Sequence, residues 1–439
     1  MKYFGTDGIR GVAYEFITKD LAFLVGTSLS VLELPNVVIG RDTRESGPTL
    51  AESIIDGAKS VGLNTLDLGV VSTPMLSHIS AKLGYVGVMI TASHNPYQDN
   101  GIKVFKCGKK LYSSEEEALE QILRGEIVIN PGSISGKSLA SVDAYQLYTK
   151  LYKDMEVKTS LKIGLDLANG ATYEIGKRVF QKITNDLFII GDQPDGMNIN
   201  LGVGSTHIEA LIELVKTQKL DVGFAFDGDG DRLIAVGSEG DVFDGDKLIY
   251  VIANYLDQKH RLNNHTVVLT KMSNLGIIKA LANRGIVTVQ TDVGDKYVLE
   301  ALETNDYTLG GENSGHVINR YLLNTGDGVL NAVTLIKILN ESDQTLKQLT
   351  SDIHMYSDRL VNLKNIDKNL IKDPRVIKTV ENVKHRLGDE GQVLLRASGT
   401  EPLIRVSVQA ETDDLVNFAI DEIVASIRSA ESEQHRERL

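Results

Sequence analysis

Cysteine is almost missing from this chain of 439 residues: Cys107 stands alone, so neither an internal disulfide framework nor a thiolate metal cluster can form. No stretch reaches the roughly 18 consecutive apolar residues of a membrane span. Cations are in deficit, with Lys and Arg at 46 against Asp and Glu at 59, a formal net charge of −13. That balance excludes a general binder of nucleic acid or anionic membrane, which needs surplus cations to displace counterions. The opening MKYFGTDGIRGV carries Asp7 and Arg10 where a signal peptide would be apolar, so a cytoplasmic location is expected. Apolar residues at 42% and charged residues at 24% suit a folded domain rather than disorder. At about 100–200 residues per domain the length favours two to four domains, and 40 glycines point to many tight turns.

Apolar runs of strand length alternate with helical patterns. NVVIG (36–40) and VGVMI (86–90) flank PTLAESIIDGAKSVG, a helix opened by Pro48, where a missing N–H costs nothing. LKIGLDLA (161–168), a helix near 171–182, DLFII (186–190), a helix near 207–217 and DVGFAF (221–226) follow. After Gly245 come KLIYVIANYL, TVVLT, a helix near 275–283, VTVQ and a helix near 327–339. Buried strands separated by helices predict βαβ units and mainly parallel sheets. The end of the chain differs. DRLVNLK, QVLLRASG and LIRVSVQA read as an antiparallel or mixed sheet. A helix over 412–429 lays Val416, Ile420, Ile423, Val424 and Ile427 on one face, and the polar tail ESEQHRERL is expected to fray. NPGSISGKS (130–138) reads as a linker; it misses a phosphate-binding GxxxxGKS loop by having Pro131 where the first glycine belongs.

The strongest chemical signal is FDGDGDR (226–232). Asp227, Asp229 and Asp231 alternate with glycines at the end of an apolar run, so the backbone can curl and the carboxylates converge. Three hard oxygens suit Mg²⁺. An EF-hand would want glycine at the sixth position and glutamate at the twelfth, where Arg232 and Ser238 stand. A phosphatase nucleophile would want Thr or Val four residues on, where Asp231 stands. The alternative reading is a solvated acidic turn.

ITASHNPYQDNGIKVF (90–105) places Ser93 at the carboxyl end of a strand, where open α/β sheets bind ligands. Ser93 could be a nucleophile, a phosphate ligand or a turn cap. His94 alone is not expected to serve as its base, since adjacent side chains seldom face each other. Lys103 can supply charge to a phosphate. In RASGTEPLIRV (396–406), Arg396, Ser398, Gly399, Thr400 and Arg405 combine guanidinium forks, hydroxyls and an approachable backbone, as a phosphate monoester site requires; a charged hairpin turn is the alternative. GGENSGH (310–316) offers Glu312 and Ser314 to sugar hydroxyls, and GTDGIRG (5–11) presents Arg10 on a glycine-rich turn. Each is weak alone.

Together, TASHNP, FDGDGDR, GENSGH and RASGTEPLIRV stand in the order and approximate spacing of the α-D-phosphohexomutase superfamily, which the whole chain resembles. YFGTDGIRG, IGRDTR, SHNPYQDNGIK, PDGMNIN, GSTH, KMSNLG, VGDKYV and TGDG make it look most like the bacterial branch that handles glucosamine phosphate; Val203 replaces the cysteine expected before GSTH.

The resemblance implies an α/β fold of four domains around a central active-site cleft: three related α/β domains with mainly parallel mixed sheets and a smaller C-terminal α+β domain, to which composition gives the limits 1–140, 141–240, 241–355 and 356–439. It implies that glucosamine 6-phosphate and glucosamine 1-phosphate interconvert through a phosphoserine at Ser93 and a 1,6-bisphosphate, feeding UDP-N-acetylglucosamine. Glucose or mannose phosphates, or a Mg²⁺-dependent sugar phosphatase, are the alternatives, and a non-catalytic sensor is disfavoured because Ser93 and all three aspartates are present. Ser93, Arg10, Lys103 and His94 are implied as catalytic. Ser93, Asp227, Asp229 and Asp231 would hold one Mg²⁺ per chain. Arg232, Lys296, Glu312, Ser314, His316, Arg396, Ser398, Gly399, Thr400 and Arg405 would bind substrate. The implied partners are a phosphosugar and a hexose 1,6-bisphosphate activator, with no nucleic acid or membrane. Activation by a protein kinase or by self-phosphorylation, and a homodimer, are compatible with the resemblance.

Overall fold

The computed structural model describes all residues except 1, 2, 6, 131, 133, 154, 398–402, 438 and 439. They form two compact units, one of Met1–Thr270 with Val289–Ser351 and one of Lys271–Thr288 with Asp352–Leu439. No helix among the described residues is long and apolar enough to cross a membrane.

In the first unit the buried runs become the centres of mixed sheets. Asn36–Arg41 pairs in parallel with Asn64–Val70 and with Val86–Ile90; Val86–Ile90 then pairs antiparallel with Asp99–Lys106, which pairs antiparallel with Gly8–Val12. A second sheet repeats the plan: Ile163–Asp166 lies between Leu187–Ile190 and Val222–Phe226, both parallel to it, and Leu233–Gly237 returns antiparallel. In a third, Thr266–Thr270 pairs in parallel with Leu309–Gly311, which pairs antiparallel with Val317–Asn319. The central strands are apolar along their whole length because helices cover both faces. Val86–Ile90 and Val222–Phe226 are buried at every residue. The chain therefore leaves each of them as a short turn at the sheet's carboxyl edge, and those turns carry Ser93 and Asp227.

The expected linker is stitched to the first sheet rather than free. Lys137 donates its N–H to Asn64 Oδ1 and accepts from the Thr65 N–H through its carbonyl, and Lys59 Nζ bonds Ser138 Oγ at 2.9 Å. In the second unit Ser357–Lys364 and Gly391–Ala397 flank Leu403–Ala410, all antiparallel. Val416, Ile420, Ile423 and Ile427 are buried and Val424 is partly so, as their spacing predicts. The tail departs from expectation. The last helix runs Asp413–Glu437, held by buried Ala430 and by an ion pair between Arg375 and Glu433. Glu, Gln and Arg are good helix formers, which a polar composition alone conceals.

Candidate active site

The strand Val86–Ile90 ends in an irregular turn, and Ser93 sits in it with a left-handed backbone (φ +53°) and almost no exposure. Its N–H donates to Thr91 Oγ1 at 2.9 Å and its hydroxyl donates to Asp227 Oδ2 at 2.5 Å. The left-handed turn also corrects the expectation for the neighbouring side chain: His94 Nδ1 lies 3.2 Å from Ser93 Oγ. Burial, with Arg232 and Arg10 adding to it, pushes His94 down to about 4, so the ring beside the hydroxyl is neutral.

The second turn wraps round its own first carboxylate. Asp227 Oδ1 accepts from the N–H groups of Gly230 at 3.2 Å and Arg232 at 3.1 Å. Glycine is required where the two turns meet, since a Cβ on Gly228 would lie 2.5 Å from the Ser93 carbonyl oxygen. Asp227, Asp229 and Asp231 are buried and bring carboxylate oxygens within 4.8 Å of one another. Asp229 Oδ2 accepts from Thr73 Oγ1 (2.6 Å) and from Lys103 Nζ (2.8 Å), while Asp231 Oδ2 accepts from Lys103 Nζ (3.1 Å). Asp229 Oδ1 has no hydrogen-bond partner among the described residues, and Asp231 Oδ1 meets only the His316 ring, at 3.5 Å. Buried hard oxygens so sparsely served by protein donors fit a divalent cation. Burial, reinforced by Asp231 and Asp229, pushes Asp227 well up. Burial also opposes charge on Asp231, but Lys103 and His316 outweigh it and hold that carboxyl well down.

Around this cluster runs a closed ring of alternating charge. Lys103 Nζ reaches Asp7 Oδ2 at 3.0 Å; Asp7 Oδ1 accepts from Lys110 Nζ at 2.6 Å, and Lys110 also pairs with Asp295. Asp295 Oδ2 lies 3.5 Å from His316 Nε2, and His316 Nδ1 lies 3.5 Å from Asp231 Oδ1, which closes the ring at Lys103. Burial pulls Lys103 toward neutrality, yet Asp229, Asp231 and Asp7 outweigh it and hold it charged. Likewise Asp231 and Asp295 overcome burial and raise His316 to about 9. Arg10 pairs with Asp7 and leaves its Nε without a partner among the described residues, as does Arg232. Asp7, Lys110 and Asp295 were not candidates from sequence, although Asp7 and Asp295 lie within GTDGIRG and VGDKYV.

Glu312 Oε1 accepts from the Gly294 N–H at 3.0 Å, and Ser314 Oγ is buried with no partner among the described residues. Lys296 is engaged elsewhere: its Nζ lies 2.7 Å from Glu116 Oε2 and 3.3 Å from Ser113 Oγ, along a groove of about 530 Å³ that Lys110 also lines. In the second unit, Arg396 and Arg405 are directly opposed on neighbouring strands. Ser398, Gly399 and Thr400 lie outside the described residues.

Models of the phosphoglucomutase/phosphomannomutase family match in four segments: alpha/beta/alpha domain I over residues 1–127, domain II over 143–240, domain III over 244–356 and the C-terminal domain over 360–426. A phosphoglucosamine mutase of Anoxybacillus flavithermus is 44% identical over 441 residues, covering 97% of this chain and 98% of its own. Among solved structures, a phosphoglucomutase/phosphomannomutase family protein of Burkholderia thailandensis aligns with a TM-score of 0.80 at 22% identity, over 97% of each chain. An N-acetylphosphoglucosamine mutase of Aspergillus fumigatus, in complex with GlcNAc-6P and magnesium, aligns with a TM-score of 0.64 at 16% identity, over 98% of this chain and 96% of its own.

Proposed function

This chain belongs to the phosphoglucomutase/phosphomannomutase family, and from that premise we propose that it interconverts glucosamine 6-phosphate and glucosamine 1-phosphate, the second of which feeds UDP-N-acetylglucosamine. The family relationship extends across four domains, for which we take the limits 1–140, 141–240, 241–355 and 356–439. The observation that carries the mechanism is the contact between Ser93 Oγ and Asp227 Oδ2: a buried hydroxyl held in a left-handed turn touches the first carboxylate of the acidic cluster.

In this reading Ser93 carries a phosphoryl group, supplied first by a kinase or by reaction with a hexose 1,6-bisphosphate. The 1-hydroxyl of glucosamine 6-phosphate attacks phosphorus; a bond to the sugar oxygen forms, the bond to Ser93 Oγ breaks, and the proton shed by the sugar hydroxyl is balanced by the one that the freed Ser93 oxygen takes up. The resulting 1,6-bisphosphate turns end for end, and its 6-phosphoryl returns to Ser93 as glucosamine 1-phosphate departs. One Mg²⁺, held by Asp227, Asp229, Asp231 and an oxygen on Ser93, would supply charge neutralisation at the transferring group.

Each protein group has a distinct task. Lys103 stands among the carboxylates of Asp7, Asp229 and Asp231 and supplies positive charge to the transferring group. His94 is the neutral imidazole at Ser93 Oγ. Arg10 and Arg232 each keep a guanidinium N–H unspent for phosphate oxygens. Ser314 Oγ and the Glu312 carboxylate serve sugar hydroxyls, and Arg396 with Arg405 hold the phosphate that is not reacting.

Phosphorus NMR of the chain with Mg²⁺, a trace of hexose 1,6-bisphosphate and equal glucosamine, glucose and mannose 6-phosphates tests the reading. Growth of glucosamine 1-phosphate ahead of the others, without free phosphate, is expected. Faster isomerisation of glucose or mannose phosphate would overturn the substrate. Free phosphate without any 1-phosphate would overturn the mutase.

A further inference from the structure

Arg44 is the largest side chain that the fold buries completely, and it belongs to the IGRDTR stretch, for which the mechanism has no use. A buried guanidinium is costly unless its charge is paired and every N–H is bonded. Here all of it is spent. Nε donates to Asp42 Oδ2 at 2.9 Å; Nη1 donates to the carbonyls of Pro96 and Asp99 (2.9 Å); Nη2 donates to those of Ser93 (3.0 Å) and Asn95 (2.8 Å). Five donors meet five acceptors, so no N–H remains for a ligand. Four of those acceptors are backbone carbonyls of one segment, residues 93–99, most of which has no helical or strand ladder of its own to fix it.

The same segment is gripped from the loop that follows the strand Leu187–Ile190. Asn200 Nδ2 donates to the Ser93 carbonyl at 2.9 Å and to the Asn95 carbonyl at 3.1 Å. Asp42 completes the frame, since its Oδ2 also accepts from Thr91 Oγ1, the hydroxyl that in turn accepts from the Ser93 N–H. Both the N–H and the C=O of Ser93 are thus tied, within two bonds, to the Asp42–Arg44 pair. A residue at φ +53° that is not glycine is held in an unfavourable backbone well and needs such support.

We infer that Arg44 is a positioning residue for phosphoryl transfer: by gathering the carbonyls of Ser93, Asn95, Pro96 and Asp99 it fixes the turn that aims Ser93 Oγ at the acidic cluster. The inference rests on the proposed mutase reaction and goes beyond it. Arg44 touches no reacting atom; it acts through the geometry of Ser93, so its removal lowers turnover rather than sugar binding. Lysine in its place keeps a positive charge beside Asp42 but has three donors on a point-like head and cannot span four carbonyls in one plane.

The test uses the full chain and the Arg44→Lys variant, with two measurements. The first is the rate at which Ser93 gains a phosphoryl group from hexose 1,6-bisphosphate, followed by intact-protein mass spectrometry. The second is steady-state kcat and KM. Displacing a reacting atom by about 1 Å costs about 100-fold in rate, so kcat and Ser93 loading are both expected to fall by about that factor while KM stays within about threefold. A folded Arg44→Lys chain with wild-type loading and kcat overturns the inference, as does a loss confined to KM. Should Arg44→Lys fail to fold, Asn200→Gly decides: glycine accepts the φ of +58° at that position and removes only the donor to Ser93 and Asn95. A drop of about tenfold in kcat at unchanged KM supports positioning through these carbonyls, and an unchanged kcat overturns it. Wild-type protein that never loads Ser93 would overturn the mutase reading itself.

Discussion

Arg396 and Arg405 stand directly opposite each other on the antiparallel strands Gly391–Ala397 and Leu403–Ala410. Like charges at opposed positions destabilise a sheet, and Arg396 registers the strain: burial, with Arg405 adding to it, lowers its hold on its proton. Arg405 Nε is buried without a partner among the described residues. A phosphate dianion between the two guanidiniums would relieve both. Arg396→Ala is therefore expected to raise KM for the phosphosugar by about 10- to 100-fold, the value of one charge-assisted hydrogen bond, with a smaller change in kcat. Initial rates across substrate concentration check it, and an unaltered KM would move the holding site elsewhere.

Ser93→Ala removes the atom that Asp227 meets at 2.5 Å while leaving a side chain the turn can hold. Loss of the nucleophile in a covalent mechanism costs at least about 10³-fold. Mutase activity measured by phosphorus NMR should vanish against background, with a circular dichroism spectrum like that of the wild type. Turnover near the wild-type rate would remove Ser93 from the mechanism.

Asp229→Asn keeps the shape of the cluster but deletes one charge. Thr73 and Lys103 both lose the anion they now share at Asp229 Oδ2. Weakening of Mg²⁺ binding by at least about tenfold is expected, read directly by titration calorimetry and again as a raised Mg²⁺ requirement for turnover. Superimposable Mg²⁺ titrations of the two proteins would show that this carboxylate is not a ligand.

Local signals were legible and distant ones were not. VGVMI and VGFAF announce buried strands because they carry no polar side chain, and the alternating aspartates after the second announce a converging turn without any knowledge of the fold. The ring through Asp7, Lys110, Asp295 and His316 left no such mark. Lys110 meets Asp295 across 185 positions, and a turn aspartate bound to a lysine that far away looks the same in sequence as a solvated one. Arg44 was hidden for a related reason: an arginine in a polar hexapeptide reads as surface, and only the tertiary fold supplies the four carbonyls that make burial tolerable. The contact of His94 with Ser93 Oγ runs against the general rule that neighbours diverge, which fails where the backbone turns left-handed.

Asp327 adjoins the acidic turn, the Gly328 N–H donating to the Gly230 carbonyl at 3.0 Å, and offers a test of burial chemistry at a carboxylate outside the three. It caps the helix Gly328–Ser342, accepting from the Leu330 N–H at 2.9 Å, and it also accepts from the buried Tyr148 hydroxyl. Burial pushes its carboxyl from an ordinary 3.8 up to about 6, against the downward pull of those hydrogen bonds. A raised folded-state value means that the native chain binds the proton more tightly than the unfolded one. Stability tied to this group is then complete below 3.8, declines as pH rises, and is lost once pH passes about 6. Asparagine retains the capping oxygen and has no charge to bury. The advantage in Tm of Asp327→Asn over wild type should accordingly grow as pH rises from 3.8 to about 6 and level off above, the span corresponding to roughly 3 kcal/mol. Taking the difference between two chains cancels the other carboxylates that titrate in that window. A difference in Tm that stays flat across it would show that Asp327 is charged at no cost where it lies.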